Sequence, residues 1–368
     1  MSDFLKAVED GIKGSNTGLK SGLPGFDKFT DNIQEECYIS VGAQKKTGKT
    51  AFVDFRYVLM PYLLNPDKDI HWIYYSYEIS RIRKIAKFVA FFMFYKYKIL
   101  ITPNVILGKG DRKLLPEEKK LVEEIYHNEI EDLFGKYSAN GTLLKKGKID
   151  FFEKKSNPTG IKNYLDKYFL SVGEFKEEVI EREVSGEKVS RVEKSAYIKN
   201  NPNSHTIVIL DHMGLLARER GFSKKENMDK MSEYFVLTRN LYKPTIVAVN
   251  QFNRDLGKID RLKFSGEDLQ PTAEDWKETG TISEDVNMLI ALFNPSLYPH
   301  IHRHLEYNID KLGKRYVSLH LLESRDTEGF VDLGLFFAGE CGYFKELPAI
   351  KDMTEAHYKL IEENKVKP

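Results

Sequence analysis

The sequence predicts an α/β fold: a mostly parallel central sheet covered by helices on both faces. Three observations carry this. Apolar runs recur along the chain at Tyr38-Ile39-Ser40-Val41, Asp69 to Ser76, Thr206 to Asp211 and Pro244 to Gln251. They are close to continuously apolar, as in strands buried on both faces. The segments between them carry apolar residues at helical spacing, so strands and helices alternate. The third observation is Ala43-Gln44-Lys45-Lys46-Thr47-Gly48-Lys49-Thr50, set between the first run and a helical stretch from Ala51 to Leu59. A strand, a tight loop ending in Gly-Lys-Thr and then a helix form a phosphate-binding loop, whose backbone N–H groups point at phosphates. Lys49 would reach the β- and γ-phosphates, and Thr50 would set its hydroxyl on Mg²⁺. The usual first glycine of such loops is Ala43 here, with Gly42 one residue early.

The elements follow in order. Asp3 to Lys13 reads as a short helix with Phe4, Leu5, Val8 and Ile12 on one side. That stripe is too small to fold alone, so it should dock on its own domain or on a neighbouring subunit. A Gly-rich stretch from Thr17 to Thr30 leads to the first strand. After the second strand and Tyr77-Glu78-Ile79-Ser80 comes a helix rich in Arg, Lys and apolar residues. Pro116 to Tyr137 is expected as a helix with Glu–Lys pairs on a solvated face. Lys148 to Phe152 is a candidate strand, and Asn157-Pro158 opens a candidate helix from Thr159 to Leu170. Residues 171–204 are highly charged and break the rhythm. Alternation around Ser185-Gly186 suggests a β-hairpin projecting from the core as an insertion, for which a solvated flap is the simpler role. A helix around Met228 to Leu241, strands at Val286 to Phe293 and Tyr316 to Leu322, and a terminal helix over 354–364 complete the reading. No internal repeat is visible.

Composition narrows the classes. The chain has 368 residues and a formal net charge of +1, so no global basic field announces a nucleic acid, and any such surface would be local. Two cysteines, Cys37 and Cys341, exclude a disulfide scaffold or a Cys-rich zinc site and fit a reducing cytoplasm. Met1-Ser2-Asp3-Phe4 leads straight into a mixed polar helix, so no secretory signal is expected. The most apolar stretch, Phe88 to Leu100, is broken by Lys96 and Lys98, too short to span a bilayer, and expected as a core helix. His300, His302 and His304 alternate and would share one face of a strand, as metal ligands do. No Cys or acid motif beyond Glu306 accompanies them, which favours a solvated or stacking role.

In parallel sheets, active residues gather at the carboxyl ends of the strands. Here the first strand runs into the phosphate loop. The second leads to Glu78, a carboxylate that could polarise a water for attack on a γ-phosphate. The third ends in Asp211, placed to hold Mg²⁺, and the fourth in Gln251, an amide that could sense the γ-phosphate. A helix N-cap is the simpler role of either acid taken alone. Their placement after successive strands, downstream of Gly48-Lys49-Thr50, argues against it.

These segments, in this order, resemble the ATPase domain of the DnaB family of replicative helicases, within the RecA-like superfamily. Gly42 to Phe52 is similar to that family's phosphate loop, which often starts with Ala. Tyr75-Ser76-Tyr77-Glu78-Ile79-Ser80 resembles its Ser-Leu-Glu-Met segment, whose Glu is the catalytic base. Val208 to Leu216 resembles its Mg²⁺-binding strand, with His212 in place of the more usual Tyr. Val249-Asn250-Gln251-Phe252-Asn253-Arg254 resembles its Ser-Gln-Leu-Asn-Arg motif. Pro271 to Gly280 resembles the segment ending Asp-Leu-Arg-Glu-Ser-Gly, which faces the ring pore and grips single-stranded DNA, and Ile282 to Asn287 continues the match. The likeness covers about residues 17–340 and leaves the 171–204 insertion outside.

The resemblance implies a RecA-like P-loop ATPase using ATP and Mg²⁺. Ala43, Gln44, Lys45, Lys46, Thr47, Gly48, Lys49, Thr50 and Asp211 would bind the nucleotide, with Thr50 and Asp211 on the metal. Glu78, Lys49, Gln251 and Arg325 would be catalytic, and Lys277, Glu278 and Gly280 would face DNA. Partners would be single-stranded or forked DNA, further copies of the chain in a hexameric ring, and a primase or loader, with no membrane. The setting would be a cytoplasm, that of a bacterial host for a phage-type protein. The expected organisation is a docking helix and linker over 1–16, an ATPase domain over 17–345 and a C-terminal helix and tail over 346–368.

Two departures stand out. The family's N-terminal primase-binding domain is expected to be missing. The family's Lys-x-Arg fingers correspond to Leu322-Glu323-Ser324-Arg325, which keeps the Arg but has Glu323 at the Lys position. These leave two other readings open: a recombinase- or loader-type ATPase acting on DNA without unwinding, and a nucleotide-dependent scaffold with little turnover, against which Glu78 speaks.

Overall fold

The computed structural model describes residues 3–12, 14, 17–138, 140–184, 187–252, 269–279, 282–325, 327, 330–363 and 366. At its centre stands a nine-stranded sheet. Its strands are β1 (Cys37–Ala43), β2 (Asp69–Ser76), β3 (Ile149–Phe152), β4 (Ser204–Asp211), β5 (Thr245–Gln251), β6 (Met288–Phe293), β7 (Tyr316–Ser324), β8 (Val331–Ala338) and β9 (Tyr343–Glu346). They lie in the order β9-β8-β7-β6-β1-β5-β4-β2-β3. From β6 to β3 all neighbours are parallel, whereas β7, β8 and β9 extend the sheet antiparallel. The sheet is thus mostly parallel, as the continuous apolar runs predict.

Each run is buried on both faces because alternate residues enter different cores. Ile39, Val41 and Ala43 of β1, Trp72 and Tyr74 of β2, and Ile207 and Ile209 of β4 enter one. Tyr38, Ile73, Tyr75, Val208 and Leu210 enter the other. The first core is closed by helix α1 (Lys49–Asp54), which continues through a wider turn at Phe55–Leu59 to Met60–Leu64, and by helix α2 (Arg81–Tyr97) with its run Phe88 to Phe94. The wide turn falls just before Pro61, which has no amide hydrogen to donate backwards. Helices α3 (Pro158–Val172) and α4 (Lys224–Tyr242) close the second core. Asn157 caps α3 by accepting from Gly160 N at 2.8 Å, and Ser223 caps α4 in a capping box with Glu226.

Several expectations are revised. The helix from Pro116 ends at Phe134, not Tyr137. Gly135 has φ 90°, and a Cβ there would lie 2.7 Å from the Lys145 carbonyl, so the chain leaves the helix and Lys136–Tyr137 pairs with Leu143–Lys145. The charged insertion is a hairpin, as expected, of Gly173–Val184 and Glu187–Lys199, paired antiparallel, with Ser185 and Gly186 outside the described residues. Asp3–Ile12 is helical, and Phe4, Leu5, Val8 and Ile12 are exposed on this chain. The three histidines do not share a strand face. His300 is exposed, His302 meets Asp310 at 3.0 Å, and His304 is buried against Ser318 at 3.0 Å. Among the described residues no cluster of His, Cys, Asp and Glu could hold a metal ion. None of the described helices is long and apolar enough to cross a membrane.

Candidate nucleotide site

The parallel pairing sets the carboxyl ends of β1, β5, β4 and β2 side by side on one edge of the sheet. Ala43 pairs with Gln251, and Ser76 pairs with Asp211. The phosphate loop, Glu78, Asp211 and Gln251 therefore meet at one cleft of about 640 Å³, a size suited to a nucleotide. Lys45, Lys46, Gly48, Lys49, Thr50, Glu78, Asp211 and Gln251 line it, together with Lys87, His212, Phe337 and Gly339.

The loop between β1 and α1 uses left-handed backbone at Lys46 (φ 67°) and Gly48 (φ 98°), which turns its N–H groups inward ahead of the helix. At Gly48 a side chain is barred twice, by that φ and by Phe337, whose Cζ would lie 2.9 Å from a Cβ. Gln44 anchors the loop. Its carbonyl accepts from Lys49 Nζ at 3.2 Å, and its side-chain oxygen accepts from the Tyr298 hydroxyl at 2.6 Å. Burial pulls the Lys49 ammonium below the usual lysine range, Asp211 and Glu78 push it back up, and Lys45 lowers it further. Lys49 is thus a desolvated cation beside two carboxylates.

Thr50 Oγ1 donates to Asp211 Oδ2 at 2.8 Å, and Asp211 is buried. A hydroxyl and a carboxylate converging under a phosphate-binding loop are hard oxygen donors of the kind Mg²⁺ takes, so these residues fit the ion. Glu78 stands where the chain turns at the end of β2, a turn tied by Ser76 Oγ donating to the Ile79 carbonyl at 2.8 Å. Its carboxylate is half exposed, free to meet water in the cleft. Gln251 is exposed at the end of β5.

Sequence reasoning missed several of the lining groups. His212 Nε2 lies 3.4 Å from Glu78 Oε1, and its Nδ1 accepts from Gly214 N at 3.2 Å, which leaves the proton on Nε2, facing the carboxylate. Burial holds the His212 imidazole below its ordinary pKa, opposed by Glu78 and Asp211. Lys87 enters from α2, and Phe337 from β8, where its ring stacks on Phe344 at 4.4 Å. Lys84 and Lys87, one turn apart and just ahead of the apolar run Phe88 to Phe94, were the available signal.

Arg325 lies elsewhere. Its backbone N–H donates to the Asn287 carbonyl, and Asn287 bonds Tyr38 near the start of β1. Its guanidinium meets the Glu284 carbonyl. Five residues of β1, roughly 16 Å, separate Tyr38 from Ala43, so Arg325 sits at the edge of the sheet opposite its own phosphate loop. Glu323 of β7, which pairs with Leu289 of β6, is exposed.

The segment bearing Lys277 and Glu278 is a short 3₁₀ turn, Ala273–Thr279, in place of an open loop. Asp275 caps it, accepting from Thr272 N at 2.8 Å. Trp276 is buried and donates to Ser40 Oγ on β1 at 2.9 Å. The side chains of Lys277 and Glu278, and all of Gly280, Asn253 and Arg254, lie outside the described residues.

A second polar chain invites a catalytic reading and does not sustain one. Ser318 Oγ lies 2.7 Å from His320 Nε2, and His320 Nδ1 lies 2.6 Å from Asp332 Oδ1. This is the connectivity of a Ser–His–acid triad. Ser318 and His320 are fully buried, so no substrate reaches the hydroxyl.

Sheet order, loop and cleft define the RecA-like P-loop ATPase fold. The comparisons agree. A DnaB-like replicative helicase, solved in a study of its interactions with primase, superposes with a TM-score of 0.65 at 17% identity, over 95% of this chain and 68% of that one. A second solved structure, an ATPase domain on its own, gives a TM-score of 0.65 at 18% identity, over 94% of this chain and 98% of that one. No protein-family model matches the sequence, and no curated protein does.

Proposed function

We propose that the protein is a Mg²⁺-dependent ATPase that assembles as a ring, a hexamer by analogy with the DnaB family, and translocates on single-stranded DNA, unwinding duplex ahead of it. One observation carries the nucleotide half of this reading: the Thr50 hydroxyl and the Asp211 carboxylate meet at 2.8 Å under the phosphate loop, with Glu78 on the same cleft. Thr50 and Asp211 would hold Mg²⁺, which when bound neutralises charge on the β- and γ-phosphates. Lys49 and the loop N–H groups would bind those phosphates. Glu78 would accept the proton of the attacking water, and Gln251 would contact the γ-phosphate. Arg325 lies on the far edge of its own subunit, which favours a role at a neighbour's nucleotide. Residues 1–16 would link subunits, 17–345 would form the ATPase domain, and 346–368 a C-terminal helix and tail. A phage origin, a host-cytoplasmic setting and a primase or loader partner belong to the same reading.

The DNA half rests on Lys277 and Glu278, on the turn that Trp276 seats against β1, and on Gly280, which follows in the sequence. Lys277 would contact the nucleic-acid backbone, giving binding that is insensitive to sequence and sensitive to salt. In Lys277→Ala, oligothymidine binding should weaken and DNA should no longer stimulate ATP turnover, while basal turnover persists. The salt slope should flatten by about 0.7 for each DNA phosphate no longer neutralised. Superimposable salt curves for wild type and variant would remove the DNA assignment and leave a nucleotide-dependent scaffold. Exposed Glu323, in place of a cationic finger, favours a second reading, a recombinase- or loader-type ATPase without unwinding. Strand displacement on forked DNA separates it from the first.

A further inference from the structure

We propose that His212 is a positioning residue for Glu78: its Nε2–H holds one carboxylate oxygen so that the other faces the water attacking the terminal phosphate. The inference rests on the reading of Glu78 as general base and adds a residue that acts through it. His212 Nε2 lies 3.4 Å from Glu78 Oε1. Among the described residues no other side chain comes within hydrogen-bond or ion-pair distance of that carboxylate. Glu78 is half exposed, so packing does not choose its rotamer either. A glutamate in that position samples several staggered side-chain conformations, and each one that turns its oxygens away from the water is unproductive.

His212, in contrast, is fixed. It directly follows Asp211, the last residue of β4. Its Nδ1 accepts from Gly214 N at 3.2 Å and so caps the turn Met213–Leu215, which Met213 anchors in the second core. A Cβ on Gly214 would lie 3.0 Å from His212 Cε1, so the ring rests against the backbone of that turn. With Nδ1 engaged as an acceptor, the neutral imidazole has one donor left, and Nε2 presents it to Glu78. At 3.4 Å the pair is slightly longer than a formed hydrogen bond. Contacts of a catalytic base are commonly long in a free site and tighten around bound substrate. A turn of the half-exposed glutamate by about 0.5 Å brings its oxygen into the range of an N–H···O bond. The rigid partner is thus the histidine, and the mobile one is the base it would orient.

Two substitutions separate this role from that of a cap. His212→Asn keeps an oxygen that can accept from Gly214 N, as in an Asx turn, but is too short to reach Glu78. His212→Gln sets an amide N–H where the imidazole Nε2 stands and gives up the cap. The measurements are ATP turnover at saturating nucleotide and Mg²⁺, ATP affinity, and thermal unfolding. His212→Asn should melt near wild type and keep ATP affinity within about twofold, while kcat falls about tenfold to a hundredfold, as for a lost hydrogen bond to a charged group. His212→Gln should recover most of kcat and melt below wild type, as for a lost cap. In the Glu78→Gln background, adding His212→Asn should cost no further turnover, because the group through which His212 acts is gone. Unchanged kcat in His212→Asn, an equal loss in His212→Gln, or a further loss in the double variant would overturn the positioning role while leaving Glu78 in place. Normal turnover in Glu78→Gln alone would remove the general base and this inference together.

Discussion

Gly42 offers a test of how the phosphate-loop strand is built. It lies in the middle of the sheet, its register partners being Asn250 on β5 and Ala291 on β6. A Cβ there would sit 2.5 Å from Phe252 Cε1 and closer still to Trp276 Cζ2. Neighbouring strands hold β1 on both sides, so it cannot retreat, and the rings must move. Phe252 and Trp276 pack edge to face at 4.6 Å, so one drags the other. Displacing Trp276 breaks its bond to Ser40 Oγ, an oxygen that keeps only the Asn250 amide at 2.8 Å. Overpacking of this kind costs about 1–3 kcal/mol, and the broken hydrogen bond about 0.5–1.5. Gly42→Ala should therefore destabilise the fold by roughly 1.5–4.5 kcal/mol, the sum of those ranges. The assay is equilibrium denaturation followed by circular dichroism and by tryptophan emission. The chain has two tryptophans, and Trp72 is tied to the Tyr57 carbonyl at 2.6 Å, away from Gly42. A changed native emission thus reports Trp276. Adding Trp276→Leu makes room and should recover about half of the loss. Stability within about 0.5 kcal/mol of wild type in Gly42→Ala, or no recovery in the double variant, would refute the packing argument.

Three further outcomes are expected. Glu78→Gln should leave ATP affinity near wild type while hydrolysis slows by about a hundredfold or more, as for a lost general base; normal turnover would remove Glu78 from the mechanism. Arg325→Ala should bind ATP yet lose about a thousandfold or more in turnover, and mixing it with Lys49→Ala subunits should restore part of it; failure of the mixture would place the finger elsewhere. Burial holds His205 and His304 neutral, with pKa values lowered from 6.5 to about 3. Their folded pKa lies below the unfolded one, so their contribution is complete above pH 6.5 and lost as pH falls towards 3. Each should change the unfolding equilibrium by about tenfold per pH unit in that window, and His205→Gln should flatten the acid limb of a stability–pH curve.

The sequence makes half of the site legible for a physical reason. A strand buried on both faces leaves a long apolar run, and a polar residue at its carboxyl end breaks the run visibly. Glu78, Asp211, Gln251 and the loop residues are all marked this way, and parallel pairing then brings them to one edge. Lys87 and Phe337 carry no such mark. Lys87 sits on a helix that also carries Arg81, Arg83, Lys96 and Lys84, the last in a wholly buried ion pair, and nothing in the spacing tells which cation faces the cleft. The antiparallel strands β8 and β9 escape for a related reason. Val331–Ala338 contains Asp332 and Gly334, which interrupt the apolar run, yet Asp332 is there to meet His320, and a Cβ on Gly334 would lie 2.7 Å from the Tyr307 ring. Gly42 is legible only as an offset glycine, and the Trp276 ring that requires it comes from a distant segment.

The position of Arg325 bears on assembly more than the loop itself does. A parallel sheet has two distinct edges, and here the phosphate loop occupies one while Arg325 lies near the start of β1 at the other. The separation exceeds five strand residues, roughly 16 Å, and the guanidinium is already turned towards the Glu284 carbonyl. No rotamer change carries it to its own nucleotide. If it stabilises a transition state at all, the nucleotide belongs to another copy. The surface that bears Arg325 must then meet the surface that bears Lys49, and these differ. Such contacts are heterologous, so every subunit both supplies an arginine and receives one, and the array closes into a ring or runs on as a filament. A two-fold dimer with a self-complementary face would leave the far arginine without a phosphate to meet. Turnover that depends on Arg325 therefore requires head-to-tail assembly, and ATPase activity per subunit should rise with protein concentration through the range in which those contacts form.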